Sequence, residues 1–254
     1  MTEKISIPTS NGKKLAAAIH HSDKVTDKLA ILCPGYLDTK DYDHIIGLAD
    51  TLTNEGYTAV RFDPLGTWGS EGTIAEYTTS QYLKDIRSVI DYILQKEDFK
   101  YILLGGHSKG GMVSMLYAIQ DARVSIVLAI MSPSTLIKTI DSEKLKTWER
   151  AGIKVSRRNL PGSHEEKEFH VPYSHQTDAR QYNVLNDIQK LHKPLILVAG
   201  ELDDVVPARD MQLIFDKAND PKKFLVVKGI GHDYRHNTEE IKKINETILG
   251  LLDK

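Results

Sequence analysis

The chain has 254 residues, of which 41% are hydrophobic and 27% charged, and its formal net charge is -2. This length suffices for one large α/β domain with a sizeable core. A nucleic-acid-binding protein would show a strong basic excess and a membrane-surface protein a basic amphipathic segment, and the sequence has neither. We therefore expect a globular protein without nucleic-acid or membrane partners; its oligomeric state stays open.

The N-terminal segment lacks the apolar core of a secretory signal, and no apolar run is long enough to span a bilayer. We therefore expect a cytoplasmic location. Cys33 is the only cysteine, so no disulfide can form within the chain.

In chain order, the first predicted elements are two antiparallel strands, KISIPTS and KLAAAIHH, which flank the turn-forming pair Asn11-Gly12. Six short apolar runs then read as buried strands. These runs are 29–34, 58–63, 101–106, 124–130, 194–200 and 223–229. Between most of them, apolar residues spaced three and four apart predict helices. The predicted helices are 43–56, 79–96, 109–120, 208–218 and 238–254.

Alternating strands and helices predict an α/β fold, with a mostly parallel sheet covered by helices on both faces. The rhythm stops between 134 and 190, where the chain is polar and rich in charge. Within this insertion we predict a helix at 141–150, a hairpin around Leu160-Pro161-Gly162 and a second helix at 178–190. We interpret residues 134–190 as a cap inserted between two parts of one core, 1–133 and 191–254.

One serine stands where a predicted strand gives way to a predicted helix. Gly106-His107-Ser108-Lys109-Gly110 fits the pattern G-x-S-x-G, which at such a junction makes a sharp turn that exposes the serine hydroxyl. The flanking glycines leave room for the turn because they have no side chain to collide. A helix N-terminus just below favours developing negative charge, so Ser108 is a candidate nucleophile.

A serine nucleophile needs a histidine to take its proton and a carboxylate to orient that histidine. In this arrangement, the acid and then the histidine should follow later strands. His232 lies in a glycine-bounded loop beyond the last predicted strand, and it is the only one of ten histidines in that position. Three acids follow the preceding strand: Glu201, Asp203 and Asp204. We expect His107, beside the serine, to point away from it and to serve packing.

We predict no metal and no other cofactor. The run HEEKEFH does not have the H-E-x-x-H spacing of a zinc site. Asp38, Asp41 and Asp43 lack the glycine and the distal glutamate of a calcium loop.

Three motifs, GHSKG, GELDDVVP and GIGH, follow one another along the chain. With these motifs in this order, the chain resembles the α/β-hydrolase superfamily from about Leu29 to its C-terminus, apart from the insertion. In that family the acid usually stands three residues after a glycine and precedes x-x-V-P, which implies Asp203 here. Asp204 is then a loop acid that would cap the helix after Pro207.

Residues 62–72, FDPLGTWGSEG, resemble a loop of bacterial esterases that include the feruloyl and cinnamoyl esterases, with Trp68 in place of one glycine. Those enzymes also carry a small insertion over the active site. The resemblance makes Trp68 and Leu37 candidates for the substrate pocket.

Where the superfamily has an oxyanion loop, this chain reads Cys33-Pro34-Gly35-Tyr36. The resemblance implies that the backbone N–H groups of Tyr36 and Lys109 hold the oxyanion. The Lys109 side chain is disfavoured at the start of a helix, so we expect it to pair with an acid or with a negatively charged substrate or leaving group.

The expected activity is that of a serine esterase, which cleaves short-chain or aromatic acyl esters through Ser108, His232 and Asp203 and an acyl-enzyme. The same residues could serve an acyl-thioesterase or a serine peptidase. A hydrolase-like signal-binding protein with negligible turnover is an alternative of another class.

Overall fold

The computed structural model describes residues 1–136 and 140–252. Three residues of the insertion, 137–139, and the last two residues of the predicted C-terminal helix lie outside the described residues.

Ten strands are described. In chain order they are β1 (Thr2–Pro8), β2 (Lys14–His20), β3 (Lys28–Cys33), β4 (Thr58–Phe62), β5 (Tyr101–His107), β6 (Val124–Ile130), β7 (Ile153–Asn159), β8 (Glu166–Pro172), β9 (Leu195–Gly200) and β10 (Lys222–Val227). All but β7 and β8 form one sheet in the order β1-β2-β4-β3-β5-β6-β9-β10. The β1-β2 and β2-β4 pairs are antiparallel, and the other pairs of this sheet are parallel.

Helices cover both faces of this sheet. In chain order they are α1 (Asp43–Asn54), α2 (Thr79–Leu94), α3 (Lys109–Ala118), α4 (Ser142–Ala151), α5 (Ser174–Ala179), α6 (Val184–Asp187), α7 (Ala208–Lys217) and α8 (Thr238–Leu252). Buried side chains of α1 and α8 join one core cluster, and those of α2, α3 and α7 join a larger one on the opposite face. The predicted α/β fold, a mostly parallel sheet between two layers of helices, is confirmed.

The short apolar runs and the hairpin around Asn11-Gly12 are strands, as predicted. The last run is less buried than predicted. β10 forms the edge of the sheet, so Leu225 and Val226 remain 39% and 43% exposed.

The insertion follows β6 and precedes β9. It contains α4, the antiparallel pair β7-β8, and then α5 and α6. The predicted helix and hairpin are confirmed, but the predicted single helix over 178–190 is wrong. The chain is extended at Asn183, whose side chain accepts a hydrogen bond from the N–H of Leu185 and so starts α6 as a separate helix.

No helix within residues 1–136 and 140–252 combines the length and the apolar character that crossing a bilayer requires. The parallel strands β3, β5, β6 and β9 end at one edge of the sheet, where the loops that carry the candidate motifs meet. The parallel core thus brings distant parts of the sequence to one place.

Candidate active site

Ser108 occupies a sharp turn between β5 and α3. Its backbone has φ 53° and ψ -119°, a conformation that L-residues rarely adopt. The two flanking glycines abut the end of β3: a Cβ on Gly106 or Gly110 would lie 2.1 Å or 1.9 Å from the carbonyl oxygen of Cys33. Glycine is therefore required at both positions by close backbone approach, and the predicted reason for the motif is confirmed.

The structure brings His232 and Asp203 to this serine. His232 Nε2 lies 3.1 Å from Ser108 Oγ, and His232 Nδ1 lies 2.8 Å from Asp203 Oδ2. The imidazole is 13% exposed and the carboxylate fully buried. The other oxygen of Asp203 accepts hydrogen bonds from the N–H groups of Val205 and Val206, at 2.9 Å and 2.7 Å. These backbone bonds fix the carboxylate so that its free oxygen faces the imidazole.

The two neighbouring acids have other positions. Glu201 accepts a hydrogen bond from the N–H of Gly229 and so ties together the loops after β9 and β10. Asp204 is exposed and lines the cavity described below. It does not cap the next helix as predicted: α7 begins at Ala208 after Pro207, and no side chain caps it. The chain turns at Asp203, so the adjacent side chain points toward the cavity instead of the helix.

Two N–H groups near Ser108 are free to donate. No described residue accepts a hydrogen bond from the backbone N–H of Tyr36 or Lys109. The Tyr77 hydroxyl donates to the Gly35 carbonyl oxygen (3.3 Å) and accepts from the Leu37 N–H (3.2 Å), on either side of Tyr36. Tyr77 therefore holds the loop that carries one of the two free N–H groups.

The Lys109 side chain is buried among aromatic rings. Its Nζ lies 3.7 Å from the centroid of the Tyr77 ring and 5.7 Å from those of Tyr36 and Tyr82. Burial lowers the pKa of Lys109 to about 7, against the opposing charges of Asp178 and Asp85.

The structure does not bear out either predicted partner of Lys109. No acid of the described chain lies within 4.0 Å of the ammonium, and the Lys109 side chain does not line the cavity. The tyrosine rings instead supply a weakly polar environment that a buried cation can occupy.

A buried polar cluster lies beside His232. The His107 ring packs against His232, with centroids 4.8 Å apart, and against His44 at 5.3 Å. Burial lowers the pKa of His107 and of His44, so both imidazoles are neutral near pH 7 and add no positive charge beside His232. Burial alone would raise the pKa of Asp38, but the Arg235 guanidinium beside it lowers that pKa below its ordinary value.

Three residues of this cluster have side chains that can ligate a metal. The ligand atoms of Asp38, His44 and His107 all lie within 4.8 Å of one another. The Arg235 guanidinium is paired with the carboxylate, and its positive charge opposes a cation at that point. We therefore assign these residues no metal: Asp38 and His107 line the site, and His44 packs against His107.

A cavity of about 540 Å³ opens above Ser108. This volume is within the range of small-molecule sites. One side is formed by the core loops and the other by the insertion, chiefly β7. Its apolar lining consists of Pro133, Leu136, Ile140, Val155 and Val205.

Trp68 and Leu37 do not line this cavity, so their predicted place in the pocket is wrong. Leu37 is fully buried. Trp68 Nε1 donates a hydrogen bond to the Leu37 carbonyl oxygen at 2.9 Å, and its ring packs on Phe169 of β8. Both residues have positive φ, 59° at Leu37 and 42° at Trp68. The turn at Trp68 explains why a glycine is usual there, and the indole holds the strained turn from behind the site.

The chain matches a known protein family over more than half of its residues. The model described as Hydrolase_4, serine aminopeptidase S33, matches residues 25–184. The chain belongs to this hydrolase family. Its fold is that of the α/β-hydrolases, as the resemblance implied. The matched residues include the sharp turn at Ser108 and most of the insertion.

Individual relatives agree with this hydrolase fold. The mitochondrial palmitoyl-protein thioesterase ABHD10 of Mus musculus is 24% identical over 99% of this chain and 84% of its own length. The solved structure of mouse ABHD10 has a TM-score of 0.77 at 23% identity and covers 99% of this chain and 98% of that one. Est1E from Butyrivibrio proteoclasticus with bound ferulic acid has a TM-score of 0.76 at 24% identity, covering 98% and 100%.

Several polar residues of this hydrolase site carry no motif. Lys154, Ser156 and Arg158 line the insertion side of the cavity, and Arg235 lines the core side. The alternation of polar residues along β7 was a usable signal, because every second side chain of a strand faces the same side. Nothing in the sequence indicated which side faced Ser108, since that depends on how the insertion packs.

Proposed function

We propose that this chain is a serine hydrolase of carboxylic esters in which Ser108 is the nucleophile, His232 the general base and Asp203 the residue that orients His232. One observation carries the proposal: the hydrogen-bond distances run without a break from Ser108 Oγ through both imidazole nitrogens to a buried carboxylate. With the proton of His232 on Nδ1, Nε2 is free to accept the serine proton.

The reaction follows from these positions. Ser108 Oγ attacks the acyl carbonyl carbon while its proton passes to His232 Nε2. The tetrahedral intermediate collapses, His232 returns the proton to the leaving alcohol, and an acyl-enzyme remains. Water then attacks the acyl group with His232 again as base, and the carboxylic acid leaves. Every proton is accounted for by His232 and water.

The free N–H groups of Tyr36 and Lys109 are our proposed donors to the oxyanion. Each donor of this kind lowers the barrier by roughly 3 kcal/mol in well-studied enzymes. Because Tyr77 holds the loop of one donor and contacts the side chain of the other residue, the two N–H groups have a common support.

We further propose that residues 134–190 form a cap on a core made of 1–133 and 191–254. Contacts between the two support this division. The Tyr42 hydroxyl donates to the Asn159 carbonyl oxygen at 2.7 Å, and Arg158 Nη2 donates to the Tyr36 carbonyl oxygen at 3.1 Å. A cap in this position would enclose the site, and this would limit the acyl group to short or compact aromatic ones.

Acyl-thioester hydrolysis is the second candidate, favoured by the relative that is named as a palmitoyl-protein thioesterase. Peptidase activity, which the family description names, needs the same residues. The proposed substrates are small molecules. A cytoplasmic location stays a prediction, and the mouse relative is mitochondrial by its name.

A panel of substrates tests the proposal: short acyl esters, hydroxycinnamate esters, acyl-CoA thioesters and aminoacyl amides, each followed through many turnovers. We expect steady turnover that is fastest on a short or aromatic ester. Faster turnover of thioesters or amides would reassign the bond that is cleaved. A single slow release of bound ligand without steady turnover would favour the signal-binding alternative.

A further inference from the structure

The insertion presents positive charge to the cavity. Lys154, Ser156 and Arg158 alternate along β7, and all three line the cavity above Ser108. Val155, between the first two, belongs to the more exposed row of the strand and also contributes to the apolar lining of the cavity. β7 therefore brings two cationic side chains and a hydroxyl, together with Val155, to the proposed site.

Lys154 has no acidic partner among the described residues. No carboxylate of residues 1–136 or 140–252 lies within 4.0 Å of its ammonium, and no hydrogen bond from it to those residues is formed. Its Nζ lies 5.4 Å from the centroid of the Trp148 ring. Burial lowers the pKa of Lys154, and the nearby charges of Arg158 and Lys144 lower it further. The surroundings of this ammonium are thus positive.

Arg158 is bound mainly by neutral acceptors. Its two terminal nitrogens donate to the carbonyl oxygens of Arg157 and Tyr36, and its Nε lies 3.8 Å from Asp38 Oδ1. Asp38 is already paired with Arg235. The positive charge of Arg158 is therefore only partly compensated.

The other acids of the cavity do not reach β7. Asp233 is paired with Arg235 Nε at 2.6 Å. Asp204 lies on the loop after β9, on the core side, and is exposed. An excess of positive charge is thus left on the insertion side, beside the apolar lining. A wholly neutral substrate filling this space would remove both cations from water without giving either an anionic partner, which is unfavourable.

We infer that the preferred substrate of this hydrolase carries an anionic group, a carboxylate or a phosphate, which Lys154 and Arg158 bind while the acyl carbonyl lies at Ser108. The inference rests on the proposed function and adds a substrate class to it. The guanidinium and the ammonium form charge-assisted hydrogen bonds with oxyanions, and the apolar lining contacts the uncharged part of the substrate.

Two matched pairs of substrates distinguish the source of the anion. A carboxylate on the acyl side is tested with the p-nitrophenyl monoester of glutaric acid against p-nitrophenyl valerate. Phosphate on the leaving-group side is tested with butyryl-CoA against the butyryl thioester of N-acetylcysteamine. We expect the anionic member of at least one pair to have a kcat/KM at least about tenfold above that of its neutral partner.

Substitutions then assign the preference. Lys154→Met keeps an unbranched chain over Trp148 but removes the charge. We expect it to abolish most of the preference for the anionic substrate, mainly by raising the KM of that substrate. Lys154→Arg keeps the charge and should retain it. Lys146→Gln, on the exposed surface of α4, is the matched control and should change neither pair. Equal kcat/KM within both pairs, or an unchanged preference in Lys154→Met, would overturn the inference.

Binding to Ser108→Ala separates this inference from the proposed function. Glutarate and coenzyme A are titrated by calorimetry into this variant with and without Lys154→Met. Binding that Lys154→Met weakens about tenfold or more supports the anion site even if none of the four substrates is turned over. Turnover of the neutral substrates without any anion binding leaves the hydrolase proposal standing and refutes the anion site.

Discussion

Replacing Asp203 by asparagine tests the proposed role of the buried acid at a single atom. In the native chain, one carboxylate oxygen accepts the N–H groups of Val205 and Val206, and the other faces His232 Nδ1. An asparagine side chain has one oxygen acceptor and one NH₂ donor. Because the two backbone N–H groups require the oxygen, the NH₂ group would face His232. The imidazole would then carry its proton on Nε2 and could not accept the proton of Ser108.

We expect Asp203→Asn to lower kcat by about 10⁴-fold, which corresponds to about 5.4 kcal/mol of activation free energy. KM should change little, because the acid does not contact the substrate. Initial rates on p-nitrophenyl butyrate measure both values, and thermal unfolding checks that the variant is folded.

Asp204→Asn is the matched control, because this neighbour is exposed and forms no hydrogen bond with His232. We expect its kcat to fall by less than about tenfold. If Asp204→Asn is the more damaging change, or if a folded Asp203→Asn keeps kcat within about tenfold of the native value, the reasoning about the orienting acid is refuted.

Three further predictions follow from the packing around this site. The depressed pKa of Lys109 means that the unfolded chain binds more protons between about pH 7 and the ordinary lysine value of 10.5, so the free energy of unfolding should rise across that window by up to about 1.4 kcal/mol per pH unit. Lys109→Met should remove that rise in denaturant titrations; an unchanged pH dependence would contradict the assignment. Gly110→Ala should strongly lower the melting temperature, because its Cβ would lie 1.9 Å from the Cys33 carbonyl oxygen, whereas Gly250→Ala, in open space on α8, should be neutral or stabilising by up to about 1 kcal/mol. Equal melting temperatures for these two variants would argue against the close approach. If residues 134–190 cap the acyl site, kcat/KM should fall as the acyl chain of a p-nitrophenyl ester lengthens beyond a short one, and a marked rise would count against the cap.

The sharp turn at Ser108 could be predicted from sequence because its pattern is local. A strand, a G-x-S-x-G turn and a helix follow one another within a few residues, and the close approach of Cys33 to both glycines explains the motif. The place of His232 could be predicted because parallel strands end at one edge of a sheet, so loops distant in sequence meet there. In both cases a short motif marks the position in the sequence, although the contacts that explain it come from distant segments.

The packing around the site could not be predicted in the same way. Trp68 and Leu37 occur at positive φ, and a one-dimensional pattern does not reveal that their side chains stay out of the cavity lining. The tyrosine rings around Lys109 come from two other segments of the chain. Arg158 reaches the Tyr36 carbonyl across 122 positions of sequence. Such contacts depend on how helices and the insertion pack, which motif spacing does not encode.

The central claim, that Ser108 is the nucleophile, is tested most directly by covalent labelling. A fluorophosphonate probe is added to the native protein and to Ser108→Ala, and the modified peptide is identified by mass spectrometry. We expect one label per native chain, on Ser108, and none on the folded variant. A label on another serine, or labelling of Ser108→Ala at the native rate, would contradict the account.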